Sequence, residues 1–164
     1  MQDNDALLRV LVESQIEFVL IGGVAANVLG SSYSTQDLDV LAPLSVENCE
    51  KILRALMPFN PRFYQTLGAP KVTRTAAELA EFKNLYFKTD LGKIDLLGAL
   101  PPVGSFVDVA ARAQVFTVFG HDCRVVSLDD LIAVKAFVGR PKDKFVELEL
   151  RAIRERLKAG PVKR

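Results

Sequence analysis

The spacing of apolar residues along the chain switches repeatedly between the helical period of about 3.6 and the strand period of about two. Ala6, Leu7, Val10 and Leu11 fall on one face of a helix that ends near Gln15, and the buried-type run Phe18-Val19-Leu20-Ile21 stops at Gly22-Gly23. Residues 24–29 read as a second helix closed by Gly30, residues 38–41 as a second strand ended by Pro43, and Ser45 as the cap of a helix reaching about Met57. Residues 58–70 have little periodicity and read as a long connection. Thr75-Ala76-Ala77-Glu78 has the form of a capping box that opens a short helix. Residues 84–89 and 93–97 flank Asp90-Leu91-Gly92 as a hairpin, and residues 115–119 and 123–126 form another around Gly120-His121-Asp122. Ser105 starts a helix between the hairpins, Ser127 caps one that stops at Gly139, and Pro141 begins the last. This alternation predicts an α/β (α+β) domain.

No repeat, low-complexity run or linker divides the 164 residues, so a single domain over 1–164 is expected. With 49% apolar and 25% charged residues the composition is that of an ordinary globular chain, and roughly 70% of the unfolded surface is buried at this length without a disulfide or structural metal. Cys49 and Cys123 lack CxxC spacing and read as reduced, buried thiols of a cytoplasmic protein. The longest apolar stretch, residues 18–26, contains two glycines and falls far short of the roughly 20 residues of a membrane helix. The acidic start, Met1-Gln2-Asp3-Asn4-Asp5, is unlike a signal peptide, so neither export nor a membrane span is expected.

The net charge of +1 is uneven, because residues 140–164 hold nine Lys/Arg against four Asp/Glu and follow an acidic body. Such a field is not that of a general nucleic-acid binder. Arg151, Arg154 and Lys158 nevertheless recur three and four apart, which puts a basic face on the last helix suited to a polyanionic acceptor, with Arg156, Lys163 and Arg164 nearby.

The candidate chemistry concentrates in residues 21–40. Two glycines where a buried strand enters a helix let the backbone approach a phosphate, although neither GxGxxG nor GxxxxGK[ST] is present. Asp37 and Asp39, two apart on a strand, share a face and repel each other unless a cation lies between them, and hard oxygen ligands favour Mg²⁺ or Mn²⁺. Asp95, in Lys93-Ile94-Asp95-Leu96-Leu97, is the acidic residue deep in another strand-like run and supplies the third carboxylate that a pair of ions around a phosphoryl group requires. His121, the sole histidine, reads as a loop residue, and Phe59, Phe63, Tyr64, Tyr86 and Phe87 read as core packing before base stacking.

Strand, Gly-Gly, helix, then Asp-x-Asp and a distant third Asp resembles the DNA polymerase beta type nucleotidyltransferase superfamily. The run from Leu131 to Asp143 is similar to the closing segment of its small members, including AbiEii-like toxins of toxin-antitoxin systems. The resemblance implies a mixed sheet with flanking helices and Mg²⁺-dependent transfer of a nucleoside monophosphate from an NTP to a hydroxyl acceptor. It further implies that Gly22, Gly23 and Thr35 hold the nucleotide, that Asp37, Asp39 and Asp95 bind metal and act in catalysis, and that Lys135, Arg140 and Lys142, braced by Asp143, face the phosphates. The acceptor it implies is a tRNA 3′ end or a protein, with small molecules open, and an antitoxin as partner. Gly23 replaces a usual serine, Tyr33 stands where a basic residue is common, and Lys142-Asp143-Lys144-Phe145-Val146 lacks a final acid. A non-catalytic nucleotide- or partner-binding module on the same fold is the alternative.

Overall fold

The structure is a computed structural model that describes residues 1–161, so Lys163 and Arg164 lie outside the described residues. Helix α1 (Asn4–Glu13) leads into β1 (Val19–Ile21), α2 (Gly22–Val28), β2 (Leu38–Leu41) and α3 (Val46–Leu56). A single 3-10 turn precedes β3 (Arg62–Phe63), α4 (Ala76–Leu79), β4 (Asn84–Thr89) and β5 (Gly92–Leu97). A small ribbon, β6 (Ala99–Leu100) with β7 (Gly104–Ser105), leads to α5 (Phe106–Arg112), β8 (Gln114–Val118), β9 (His121–Val125), α6 (Leu128–Val138) and α7 (Pro141–Ala159).

Local chemistry sets most of these boundaries. Asp3 accepts the Ala6 N–H at 2.9 Å, Ser45 the Asn48 N–H at 3.2 Å and Ser127 the Asp130 N–H at 3.1 Å, each satisfying a donor left open in a first helical turn. Thr75 and Glu78 close the capping box of α4 reciprocally.

The large sheet has the order β3-β4-β5-β2-β1-β9-β8, parallel at β5–β2 and β1–β9 and antiparallel elsewhere, which makes it mixed. On β4 and β5 the alternation is clean: Leu85, Phe87, Ile94 and Leu96 are buried with Leu7, Leu11, Ile52 and Leu79 of the helices, whereas Tyr86, Lys93 and Asp95 stay partly open. Asn48, buried at the start of α3, accepts from the Glu17 N–H at 3.0 Å and donates to the Glu17 and Pro43 carbonyls at 3.1 and 2.9 Å, fixing where β1 and β2 begin and end.

Three features differ from the sequence expectation. Residues 58–70 include β3, which pairs with β4 and bridges Lys71, because two paired residues are too few to show a period. The second hairpin turns at Phe119-Gly120, both with positive φ (49° and 79°), so His121 opens β9 instead of sitting in the turn. Helix α2 starts at Gly22 itself. Both thiols are free and buried, and no helix among the described residues is long and apolar enough to cross a membrane.

On α7, Arg151 pairs with Glu147 at 2.7 Å and Arg154 with Asp129 at 3.3 Å, so two of the three cations expected on a free basic face are already engaged. Glu149 accepts from the Ser31 and Ser32 hydroxyls at 2.8 and 2.7 Å, tying α7 to the loop that leads into the aspartates.

Candidate active site

Parallel pairing of β2 with β5 places Asp39 opposite Asp95, so the two carboxyl groups project from the same face of neighbouring strands. Asp37 lies in the bend just before β2 and not on the strand as its spacing from Asp39 suggested, but its charge reaches both Asp39 and Asp95. Burial, then repulsion from Asp95 and Asp37, then a hydrogen bond with Asp95 push the Asp39 carboxyl up to about 7, against an opposing pull from Lys135. Burial also raises Asp95. Its Tyr64 hydrogen bond works the other way, and repulsion from Asp37 adds to the rise. Without a cation, Asp39 and Asp95 thus behave as a pair that shares a proton.

The Tyr64 hydroxyl donates to Asp95 Oδ1 at 2.6 Å, and burial followed by this bond raises the phenol above its ordinary range. Lys93 Nζ lies 4.7 Å from the Tyr64 ring centroid, and Tyr86 meets that ring edge-on at 6.2 Å. Sequence reasoning assigned Tyr64 to packing and left Lys93 out. The open alternation of β5 could have flagged Lys93, but Tyr64 lies beyond the short β3 and carries no local signal.

The glycines have steric reasons. Gly22 has φ of 68°, and a Cβ there would collide with the Asp39 carboxylate. A Cβ on Gly23 would collide with the Thr35 hydroxyl and lie 2.5 Å from Thr35 Cβ. Thr35 therefore fills the volume a serine side chain at position 23 would need, and places its own hydroxyl there. No side chain caps α2 at Ile21. Tyr33, in place of a basic residue, packs against Phe145 of α7 with ring centroids 5.9 Å apart.

From the other side, Asp143 on the first turn of α7 is almost completely buried, accepting from Arg140 Nε at 2.6 Å and Lys135 Nζ at 3.2 Å. Burial opposes its charge, but the Arg140 and Lys135 hydrogen bonds outweigh that and hold the carboxyl below its ordinary range. Lys135 and Arg140 both lie within electrostatic reach of Asp39. Lys142 is exposed and makes no ion pair among the described residues. The structure thus brings Gly22, Gly23, Thr35, Asp37, Asp39, Asp95, Lys135 and Arg140 to one region and leaves Lys142 at its edge.

No three His, Cys, Asp or Glu side chains among the described residues close around a single ion. The donor chemistry nevertheless fits a hard divalent cation, because two carboxyls held in contact with a third beside them are at odds with their own charge.

No protein-family model matches the chain, and no curated protein does. Among solved structures, the lincomycin-bound lincosamide antibiotic adenylyltransferase LnuA aligns with 93% of this chain and 98% of its own at 14% identity and a TM-score of 0.60. The fold is the nucleotidyltransferase fold. Looser likenesses are to a Thermotoga maritima protein assigned as a nucleotidyltransferase (18% identity, 94% and 97% covered, TM-score 0.48) and to ANT(2″)-Ia in complex with adenylyl-2″-tobramycin (12%, 90% and 94%, 0.47). Within the nucleotidyltransferase fold, Asp39 and Asp95 stand on the central strands β2 and β5, Asp37 lies just before β2, and the glycine turn follows β1.

Proposed function

We propose that the protein is an enzyme that transfers a nucleoside monophosphate from an NTP to a hydroxyl acceptor and releases pyrophosphate. The observation that carries this reading is the pairing of Asp39 with Asp95 on one sheet face, with Asp37 beside them and the Gly22-Gly23 turn against Asp39. In it, Asp37, Asp39 and Asp95 hold Mg²⁺, or Mn²⁺, which when bound neutralises charge on the reacting phosphates. The Gly22-Gly23 backbone and the Thr35 hydroxyl line the path of the triphosphate. Lys135 and Arg140, oriented by Asp143, offset phosphate charge from the α6–α7 side. Asp95 accepts the acceptor's hydroxyl proton, and Tyr64 fixes the orientation of its carboxylate.

Titration with each NTP, with and without Mg²⁺, beside a labelled-NTP transfer assay tests the reading. Mg²⁺-dependent binding and transfer that disappears in Asp39→Asn support it. Binding without transfer to any acceptor would assign the same fold to a nucleotide-binding module. The toxin setting enters as growth arrest on expression of the parent protein and not of Asp39→Asn, relieved by a neighbouring antitoxin.

A further inference from the structure

Helix α7 carries two apolar stripes, and the body covers only one of them. Asp143, Val146 and Leu150 are buried and Ile153 packs against the core, at the spacing of three and four that marks one helix face. Pro141, Phe145, Leu148 and Ala152 follow one another at four, three and four residues, and all four are exposed. At 3.6 residues per turn this second stripe lies about 140° round the axis from the first. Phe145 is 51% exposed and Leu148 69%. Phe145 also meets the exposed Tyr33 ring at 5.9 Å, which extends the apolar surface onto the loop before β2.

The end of α6 adds to the same surface. After Asp130, α6 is apolar on every side except at Lys135. A helix apolar all round is ordinarily covered all round. Here Ala136, Phe137 and Val138 are exposed, and the Lys135–Asp143 contact of 3.2 Å holds this last turn beside the first turn of α7. Contiguous apolar patches of this kind are rare on monomeric proteins and mark interaction sites.

Alternate spacing of four and three is that of the seam between two coiled helices, and the residues beside such a seam select the partner. Lys144, Arg151 and Lys158 recur seven apart on one flank, and Lys142, Glu149 and Arg156 seven apart on the other. Arg151 is shared with Glu147 of its own helix, and Glu149 is turned to the Ser31 and Ser32 hydroxyls. Lys142, Lys144, Arg156 and Lys158 are exposed and have no ion pair among the described residues. The flanks of the seam therefore offer positive charge. A second copy of the helix matches this badly: antiparallel, with the apolar runs in register, Lys144 meets Arg151, and parallel, Arg151 meets Arg156. Glu149, the acid that would meet Lys142 or Lys144, is already held by the serines. Glu155 stands at the next seam position and ends the apolar run.

We propose that this face of α7 docks an amphipathic helix of an acidic partner protein, about four turns long. Its apolar residues lie along Phe145, Leu148 and Ala152, and its Asp or Glu side chains stand against Lys142, Lys144, Arg156 and Lys158. A helix seated there also covers Tyr33, whose loop leads to Thr35 and Asp37. No residue of the apolar seam belongs to the carboxylate site, so the docking surface does not depend on the transfer reading.

The probe is a stapled helical peptide of about 18 residues, because short unconstrained helices are marginal in water. It carries Leu at the seam spacing and Glu at the flanking positions, and its control carries Lys in place of Glu. Fluorescence anisotropy with the full chain should show the Glu peptide binding roughly tenfold more tightly than the Lys peptide, by a margin that shrinks as salt rises. Leu148→Asp, a change at an exposed side chain, should weaken the Glu peptide roughly tenfold and leave thermal melting unaltered. Lys144→Glu with Lys158→Glu should reverse the preference between the two peptides, a readout that holds even where Leu148→Asp does not fold. Sedimentation velocity of the chain alone should show a monomer. Binding of neither peptide, equal binding of both, or binding indifferent to Leu148→Asp would overturn the proposal. So would a dimer that Leu148→Asp dissociates, which would give the face to a second copy.

Discussion

At Asp39 the metal-free fold holds a proton more tightly than the unfolded chain does, because its carboxyl is pushed from 3.8 to about 7 by burial and by Asp95 and Asp37. A raised folded-state value makes the group's contribution to stability complete below about pH 4, and that contribution is lost as pH rises toward 7. Melting in EDTA should show stability falling across this window, and Asp39→Asn should flatten the fall while abolishing transfer. Asp37→Asn should leave the EDTA form equally or more stable, since it removes a repelling charge. A large drop in melting temperature for either variant would show a structural carboxylate and sink the metal-site reading. At Lys135 the sign is opposite, because this ammonium offsets phosphate charge. Lys135→Ala should weaken NTP binding by about 1.5–3 kcal/mol, the worth of a charge-assisted hydrogen bond, with the fold kept because Arg140 still holds Asp143. Unchanged NTP affinity by titration would reduce the lysine to a partner of Asp143.

Between elements, the decisive joint is α6 to α7. Asp143 has 1% of its side chain exposed and ties Lys135 of one helix to Arg140 at the start of the next. Removing one member of a buried ionic group leaves the others uncompensated, so Asp143→Ala should cost about 3 kcal/mol, the low end of the usual range because Arg140 is largely exposed. It should also raise the KM for NTP more than it lowers kcat. Denaturant unfolding with steady-state kinetics reads both, and intact stability would show that the joint does not depend on this carboxylate. The helix boundaries of this joint were legible in the sequence because a stop at Gly139 and a start at Pro141 are local signals, whereas Lys135, Arg140 and Asp143 were singled out by the family resemblance. Ser45, Thr75 and Ser127 were legible for the same local reason, and Asp37 and Asp39 were picked out by their spacing, although Asp37 lies in the bend before β2 and not on the strand. The partnership of Asp39 with Asp95 is set by strand order and register, which arise from packing of the whole sheet and leave no local trace. The same holds for Tyr64, whose bond to Asp95 depends on a strand only two residues long.

Over the whole molecule, charge counted by segment and charge available to a ligand differ. The segment 140–164 carries nine basic residues and four acidic ones, which on the sequence alone makes the last helix the place for a polyanion. In the fold, Arg151 is 2.7 Å from Glu147 and Arg154 is 3.3 Å from Asp129 of α6, so these cations complete α7 and fasten it to the body. The cations Arg62, Lys88 and Lys93 of the β3–β5 face lack such partners among the described residues, although residues 62–97 hold six Lys/Arg against four Asp/Glu, a smaller excess than that of residues 140–164. Counterion release counts the phosphates a protein neutralises, and a cation already paired with a carboxylate has less to offer. Replacing Arg151, Arg154 and Lys158 together by glutamine should therefore leave the salt slope of oligonucleotide binding within about 0.7 of the parent, the single contact an exposed Lys158 could supply. The same variant should melt earlier, since Arg154 is mostly buried and bridges two helices. Salt-dependent binding measured beside thermal melting checks both, and a slope reduced by about two units would return the acceptor surface to the C-terminal helix.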